Sequence, residues 1–161
     1  MELQTRIHGT CLSVGGSGVL LIGPPGSGKS DLALRLIDAP GYGISSVLMR
    51  AEMVSDDQVI ITRQGEILRA TAPASIQGKM EIRGLNVVSL PNAVSAPLSL
   101  VVKLHPHVKI ERLPEAATFE ILGMKLPLIE LDGLSASAPA RLRAALGWIK
   151  RTLETVAQPT G

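Results

Sequence analysis

The sequence predicts an α/β fold: a β-rich central sheet with one helix after a glycine-rich loop and a second, amphipathic helix near the carboxyl end. Three observations support this prediction. The apolar run at residues 19–22 leads into the glycine-rich stretch 23–28, after which apolar residues recur at helical spacing. The middle of the chain contains short β-like segments separated by turn residues. Near the end, Pro139 opens a segment with an apolar stripe.

The individual elements follow from local patterns. Residues 5–14 alternate loosely, which predicts a strand, and a glycine-rich turn separates them from the strand at 19–22. A helix is expected over residues 29–38, because Pro40 stops it. Further strands are predicted over residues 47–49, 58–63, 66–71, 80–90, 98–104, 118–122 and 125–131. The last helix is expected from residue 137 to about residue 156, with a stripe of Leu142, Leu146, Ile149 and Leu153.

Length and composition limit the classes of protein that fit. The 161 residues suit a single domain, which we expect over residues 1–157 with a short tail at 158–161. The formal charge of +2 argues against a nucleic-acid partner. No signal-like start and no apolar run of the ~18 residues that a membrane span needs are present, so we expect no membrane partner and a cytoplasmic address. Cys11 is the only cysteine and is expected in the core.

The residues between the predicted strand and helix form a complete phosphate-binding loop, which we call the P-loop: Gly23-Pro24-Pro25-Gly26-Ser27-Gly28-Lys29-Ser30. Glycines are needed there because successive backbone N–H groups must turn toward phosphate oxygens. Lys29 would bridge the β- and γ-phosphates, and Ser30 would coordinate Mg²⁺ through its hydroxyl. The motif therefore predicts binding of a nucleoside triphosphate with Mg²⁺.

An acidic pair, Asp56-Asp57, lies between an apolar approach and a β-like run. At a strand end beside the P-loop, one carboxylate would hold metal and the other would accept a hydroxyl proton. An acidic turn between two strands is an equally good interpretation, and the residues alone leave both open. His8, taken by itself, is most simply a half-buried strand residue.

Five other polar positions are ordinary when considered alone. Glu81 and Arg83 alternate with apolar residues, which predicts that they share the solvent-facing side of a strand. Arg112 lies near a predicted loop and, by itself, is expected to be an ordinary surface residue. His105 and His107 lack a nearby acidic partner, which favours a solvated turn over a metal site.

Several short motifs occur in a specific order: His8-Gly9, the P-loop, Asp56-Asp57-Gln58-Val59, Ala72-Pro73, Ile76 with Gly78, and Glu81-Ile82-Arg83-Gly84-Leu85. Together they resemble the catalytic domain of the HPr kinase/phosphorylase family. The resemblance covers residues 5–115. Residues 135–140 resemble the short members of alphaproteobacterial type, which lack the amino-terminal domain of the longer enzymes.

The resemblance implies a protein-serine kinase that uses ATP and Mg²⁺ to phosphorylate HPr, a phosphocarrier protein of the phosphotransferase system. Many members also reverse the reaction with inorganic phosphate, and we expect an oligomer of the catalytic core. By this resemblance, Lys29 and Ser30 match the P-loop lysine and the metal-binding serine. Asp56 matches the acid/base aspartate, Asp57 lies beside it, and Glu81 matches a metal-linked carboxylate. His8 matches the active-site histidine, and Arg112 matches a catalytic arginine.

Two segments depart from the family pattern, and two other functions compete. Residues 41–53 are longer than the usual link before the acidic pair. Residues 127–138 do not match the Pro- and Arg-rich loop that long members use in phosphorylase action. One competing hypothesis is a P-loop kinase of another acceptor, which a substrate panel separates from an HPr kinase. The other is a nucleotide-sensing regulatory module, which binds ATP tightly without phosphoryl transfer.

Overall fold

The computed structural model describes residues 2–106 and 109–157. His107 and the tail expected at 158–161 lie outside these residues. Helix α1 is Lys29–Asp38 and helix α2 is Ala138–Ala157. The strands β1 to β11 are, in chain order, Leu3–His8, Thr10–Val14, Ser17–Ile22, Ala51–Ser55, Gln58–Gln64, Ile67–Thr71, Lys79–Ile82, Asn86–Ser89, Ser95–Leu104, Ala117–Ile121 and Met124–Leu131.

Nine of the described strands form one mixed sheet, and β7 and β8 form a separate hairpin. The main path is β1-β5-β6-β9-β3-β2-β4, with β11 on β9 and β10 on β11. Strand β9 runs parallel to both β3 and β11, whereas the other pairs in the sheet are antiparallel. The carboxyl ends of β3, β9 and β11 therefore share one edge of the sheet, which is where ligands bind in open α/β sheets.

Two apolar clusters fill the two faces of this sheet. Because side chains alternate along a strand, Leu21 and Leu20 of β3 point to opposite faces of the sheet. Leu21 packs in the helix-side cluster, which includes buried residues of α1 and α2, and Leu20 packs in the other cluster. The second cluster joins β5 and β6 to β2, β3 and β9, so the sheet folds over its own face there. Cys11 is fully buried in this cluster, as expected from the sequence. The central strands are thus covered on both sides.

Helix α1 begins at Lys29, so the last two residues of the P-loop form its first turn, and it packs against the sheet. Its Leu32, Ala33 and Leu36 are buried in the helix-side cluster, and each fully buried leucine contributes about 1.5–3 kcal/mol. Asp31 in the first turn pairs with Arg35 one turn later, with 3.0 Å between Arg35 Nη2 and Asp31 Oδ2. The bounds predicted from the sequence are confirmed, which fixes the amino end of α1 at the sheet edge.

The expected single strand at residues 5–14 is wrong, because it is divided at Gly9 into β1 and β2. Gly9 is buried, and an added Cβ would lie only 2.6 Å from the carbonyl oxygen of Leu21. Its N–H donates to Asp57 O at 3.0 Å, so the chain changes partner there from β5 to β4. This corner places His8 and Thr10 on either side of the acidic turn.

Three other local expectations also differ from the structure. Residues 80–90 form the hairpin β7–β8 because Gly84 turns the chain with φ 84°, so Arg83 lies in the turn and not on a strand with Glu81. Residues 47–49 form no strand; Met49 makes only an isolated bridge to Gly41. In α2 the predicted stripe ends early, since Leu153 is 64% exposed.

Candidate active site

The P-loop connects β3 to α1 in a conformation that needs its glycines. Gly23, Gly26 and Gly28 all have positive φ, of 152°, 81° and 96°. A Cβ on Gly23 would lie 2.7 Å from the carbonyl oxygen of Leu104 at the end of β9, whereas one on Gly26 would meet nothing within 4 Å. The loop is therefore held tightly on its sheet side and is open at its crest, as a phosphate cradle requires. Pro24 and Pro25 are exposed on that crest.

Lys29 bonds back to the first residues of the P-loop. Its Nζ donates to Gly23 O at 2.7 Å and to Pro24 O at 3.1 Å. Burial lowers the pKa of Lys29 below its usual value, while the nearby charges of Asp56 and Asp57 act in the opposite direction. Because carbonyl oxygens are weaker partners for an ammonium than phosphate is, an incoming triphosphate would compete well for this side chain.

The carboxylate of Asp56 lies against the first turn of α1. Ser30 Oγ is 3.0 Å from Asp56 Oδ1 and 3.2 Å from Oδ2, and Thr10 Oγ1 donates to Oδ1 at 2.9 Å. Asp56 follows β4, and Ser55 Oγ donates to Gln58 O across the turn. The structure thus brings the acidic pair and the P-loop together, which the sequence left open.

Asp57 and His8 form an exposed pair beside this contact. His8 Nδ1 lies 3.3 Å from Asp57 Oδ1, and their side chains are 56% and 72% exposed. Such an exposed pair adds little stability. Asp57 adopts φ 72°, a left-handed conformation that is uncommon for residues other than glycine, although aspartate adopts it more often than most. The half-buried setting expected for His8 from its residue type alone is therefore wrong.

The loop after β11 forms the wall on the other side of the P-loop. Arg35 of α1 donates to the carbonyl oxygens of Gly133 and Ser135. This holds Leu134 so close to Gly28 that a Cβ on Gly28 would lie 3.0 Å from it. Ser27 Oγ is buried beneath the P-loop and has no hydrogen-bond partner within the part of the chain that the structure describes. The P-loop is thus packed between the β4–β5 turn and the residues after β11.

Glu81 and Arg112 are both exposed. Met80 anchors β7 in the helix-side core, so Glu81 on the opposite face is exposed. Arg112 is exposed in the link between β9 and β10. Over residues 2–106 and 109–157, neither side chain makes a hydrogen bond or ion pair with the P-loop or with Asp56. His105 pairs with Glu130, with 3.1 Å between Nε2 and Oε1, and so has the acidic neighbour that the sequence did not indicate.

Sequence reasoning missed two residues that shape the site. Thr10 donates to Asp56, and the available signal was its place directly after His8-Gly9. Arg35 holds the wall beside the P-loop, but its place four residues after Asp31 indicated only a surface pair.

The donors that meet at the P-loop fit Mg²⁺ bound together with phosphates. Ser30 supplies a hydroxyl oxygen of the kind that this ion accepts as a ligand, and the Asp56 carboxylate beside it adds negative charge that favours a cation there. Among the described residues, no group of three or more His, Cys, Asp or Glu side chains is placed to hold a metal by itself. That arrangement agrees with an ion held by one or two protein oxygens and by its nucleotide.

Known proteins resemble this chain in sequence and fold. The HPr kinase/phosphorylases of Chlorobium phaeobacteroides (strain DSM 266) and Chlorobium luteolum are 37% and 36% identical over 143 residues, 81% of this chain. That of Clostridium novyi is 30% identical over 129 residues, 80% of this chain. The chain spans 39% to 41% of the length of these relatives.

The fold agrees with the sequence comparison. The solved Hpr(Ser) kinase/phosphatase of Coxiella burnetii superimposes with a TM-score of 0.78, covering 94% of each chain at 21% identity. This confirms the α/β fold expected from the sequence. None of the described helices is long and apolar enough to cross a membrane. Residues 1–137 match the HPr serine kinase C-terminal domain, so the chain belongs to that family.

Proposed function

We propose that this domain transfers the γ-phosphoryl group of ATP, with Mg²⁺, to a serine hydroxyl of the phosphocarrier protein HPr in the cytoplasm. The observation that supports this most is the contact between Asp56 and Ser30. It places a carboxylate beside the loop that would hold the triphosphate, where an acceptor hydroxyl must approach. Family membership and the names of the relatives supply HPr as the acceptor.

The P-loop residues would bind and orient the nucleotide. Backbone N–H groups between Gly23 and Gly28 and the amino end of α1 would receive the phosphates. Lys29 would leave its carbonyl partners for the β- and γ-phosphates, and Ser30 would hold Mg²⁺. When bound, Mg²⁺ would neutralise charge on the β- and γ-phosphate oxygens.

Asp56 would act as the general base. It would take the proton of the seryl hydroxyl as the seryl oxygen bonds to the γ-phosphorus, while the bond from that phosphorus to the β–γ bridging oxygen breaks and ADP leaves. For a reverse reaction, an oxygen of inorganic phosphate would bond to the phosphorus of phosphoserine while the bond from that phosphorus to the seryl oxygen breaks. Protonated Asp56 would return the proton to the seryl oxygen, and the phosphoryl group would leave as pyrophosphate. Asp57, held by His8 and by its own backbone bond to Gly9, would add a second carboxylate at the site.

Two exposed residues complete the proposal. Glu81 would be a second metal-linked carboxylate, and Arg112 would stabilise charge on the transferred group, a role worth ~10³-fold or more in related phosphoryl transfers. Both side chains are exposed, and among the described residues neither bonds to the P-loop, so their roles would come from contact with the bound nucleotide or acceptor.

We also propose that several copies of this domain assemble into a homo-oligomer.

The test is incubation with γ-labelled ATP, Mg²⁺ and HPr from the same source, followed by mapping of the phosphorylated residue. Wild-type protein is compared with Lys29→Ala and Asp56→Asn, and with Lys125→Ala, which removes an exposed lysine on β11. We expect labelling of an HPr serine by wild type and by Lys125→Ala, and its loss in the other two variants. A parallel incubation of phosphoseryl-HPr with inorganic phosphate measures the reverse reaction.

Other outcomes separate the competing functions. Labelling of a different protein or a small molecule, with HPr untouched, identifies a P-loop kinase of another acceptor. Tight ATP binding by folded wild-type protein without transfer to any member of a substrate panel identifies a nucleotide sensor. Either result overturns the HPr kinase assignment.

A further inference from the structure

Thr10 is a buried polar residue in contact with the proposed base. It is the first residue of β2 and is only 1% exposed. Its Oγ1 donates to Asp56 Oδ1 at 2.9 Å. A buried hydroxyl needs a partner. Here that partner is the side chain to which the proposed function assigns the proton transfer.

The two oxygens of Asp56 are engaged unequally. Oδ1 receives Thr10 Oγ1 at 2.9 Å and Ser30 Oγ at 3.0 Å, whereas Oδ2 has only a longer contact with Ser30, at 3.2 Å. A serine hydroxyl carries one proton, which favours the nearer oxygen. Oδ2 is therefore the oxygen with more capacity to accept another hydrogen bond.

The backbone around Thr10 makes its hydroxyl a fixed donor. Thr10 is paired with Leu21 in β3, and the next residue, Cys11, is paired with Ser55 in β4. A β-branched side chain also has few accessible χ1 rotamers. If Ser30 turns toward a metal ion, the Thr10 hydroxyl still donates a hydrogen bond to Oδ1 of Asp56.

We infer that Thr10 is a positioning residue for phosphoryl transfer: its hydroxyl holds Asp56 so that Oδ2 receives the proton of the acceptor serine. This inference rests on the proposed function. It assigns Thr10 no contact with ATP, so removal of the hydroxyl should affect turnover and leave nucleotide binding in place. A purely structural role would instead change stability and both kinetic constants together.

The experiment compares Thr10→Val, which is nearly isosteric but lacks the hydroxyl, with Thr10→Ser, which keeps it. The kcat and the KM for ATP are measured in HPr phosphorylation, together with the melting temperature. Cys11→Ala is the matched control, since Cys11 is the next buried residue of β2 and packs in the opposite cluster. Thr10→Ala replaces Thr10→Val if the latter does not fold.

We expect Thr10→Val to lower kcat by about tenfold or more, because small misplacement of a catalytic group is costly, with KM for ATP unchanged. Thr10→Ser should restore most of kcat, and Cys11→Ala should keep it. An unchanged kcat in Thr10→Val, or a kcat in Thr10→Ser as low as in Thr10→Val, overturns the inference. Wild-type protein that leaves HPr unlabelled overturns the proposed function first, and the inference with it.

Discussion

Ser30 Oγ and Asp56 Oδ1 lie 3.0 Å apart although the two residues are 26 positions apart in the sequence. The contact joins the first turn of α1 to the turn between β4 and β5. Asp56 is brought there because β2 pairs with both β3 and β4, so the acidic turn lies beside the end of the P-loop strand. The sheet thus positions the proposed base beside the proposed nucleotide site.

This contact predicts the behaviour of Ser30→Ala. Loss of the hydroxyl removes a proposed ligand of Mg²⁺, so affinity for ATP in the presence of Mg²⁺ should fall by about tenfold or more, as when metal-site partners are removed. Affinity for ATP in EDTA should change much less. Titration calorimetry under both conditions measures the effect.

Ser30→Thr is the matched control, because it keeps the hydroxyl at the same position. It should retain the dependence of ATP affinity on Mg²⁺. Equal losses of affinity with Mg²⁺ and with EDTA in Ser30→Ala would contradict the metal role and leave Ser30 as a structural partner of Asp56.

Gly23 and Gly26 of the P-loop differ in packing, so their substitution by alanine should affect stability and nucleotide binding differently. Gly23→Ala should lower the free energy of unfolding by more than about 3 kcal/mol, because its Cβ meets backbone at Leu104. Gly26→Ala should cost only about 1–2 kcal/mol of left-handed strain. Its Cβ enters open space at the crest, so nucleotide affinity should fall while the fold remains. Urea unfolding and nucleotide titration measure the two effects, and equal destabilisation by both variants would refute this packing argument.

Local signals in the sequence were enough for the parts of the fold that local chemistry determines. The bounds of α1 follow from the P-loop before it and Pro40 after it, and the structure agrees. The hairpin β7–β8 was not predicted, because its turn contains Gly84 but neither of the Asn-Gly and Asp-Gly pairs that mark a tight hairpin. The exposure of Leu153 was missed because helical periodicity does not show where the sheet beneath α2 ends.

The site depends on pairings between distant strands, which no local pattern encodes. The P-loop was complete in the sequence, but the sequence left Asp56 equally consistent with a plain acidic turn. Only the pairing of β2 with β4 brings that turn and Thr10 to Ser30. The roles of Glu81 and Arg112 stay predictions, since both are exposed and neither bonds to the P-loop or to Asp56 within the described residues.

Buried Arg143 predicts a large effect on stability away from the site. Its guanidinium donates to the carbonyl oxygens of Leu36, Ala39 and Met49 at 3.0, 3.0 and 3.2 Å, so it holds the carboxyl end of α1. Burial lowers the pKa of Arg143 from its usual value. Arg143→Met should lose about 2–4 kcal/mol in urea unfolding, because three carbonyls lose their charged donor. Exposed Arg141→Met on the same helix should change little, and similar losses in both variants would be the contrary result.

Cys11 predicts a pH dependence with a definite sign. Burial raises the pKa of its thiol from 9.0 to about 12, so above pH 9.0 the unfolded chain releases this proton while the folded chain keeps it. Stability from the buried thiol is therefore complete below pH 9.0 and falls, by up to about 1.4 kcal/mol per pH unit, as the pH rises toward the folded value. Cys11→Ala lacks this term, so urea unfolding should show the advantage of wild type over the variant at pH 7.5 shrinking at pH 10. A difference that stays constant between the two pH values would show that the thiol is not protected in the core.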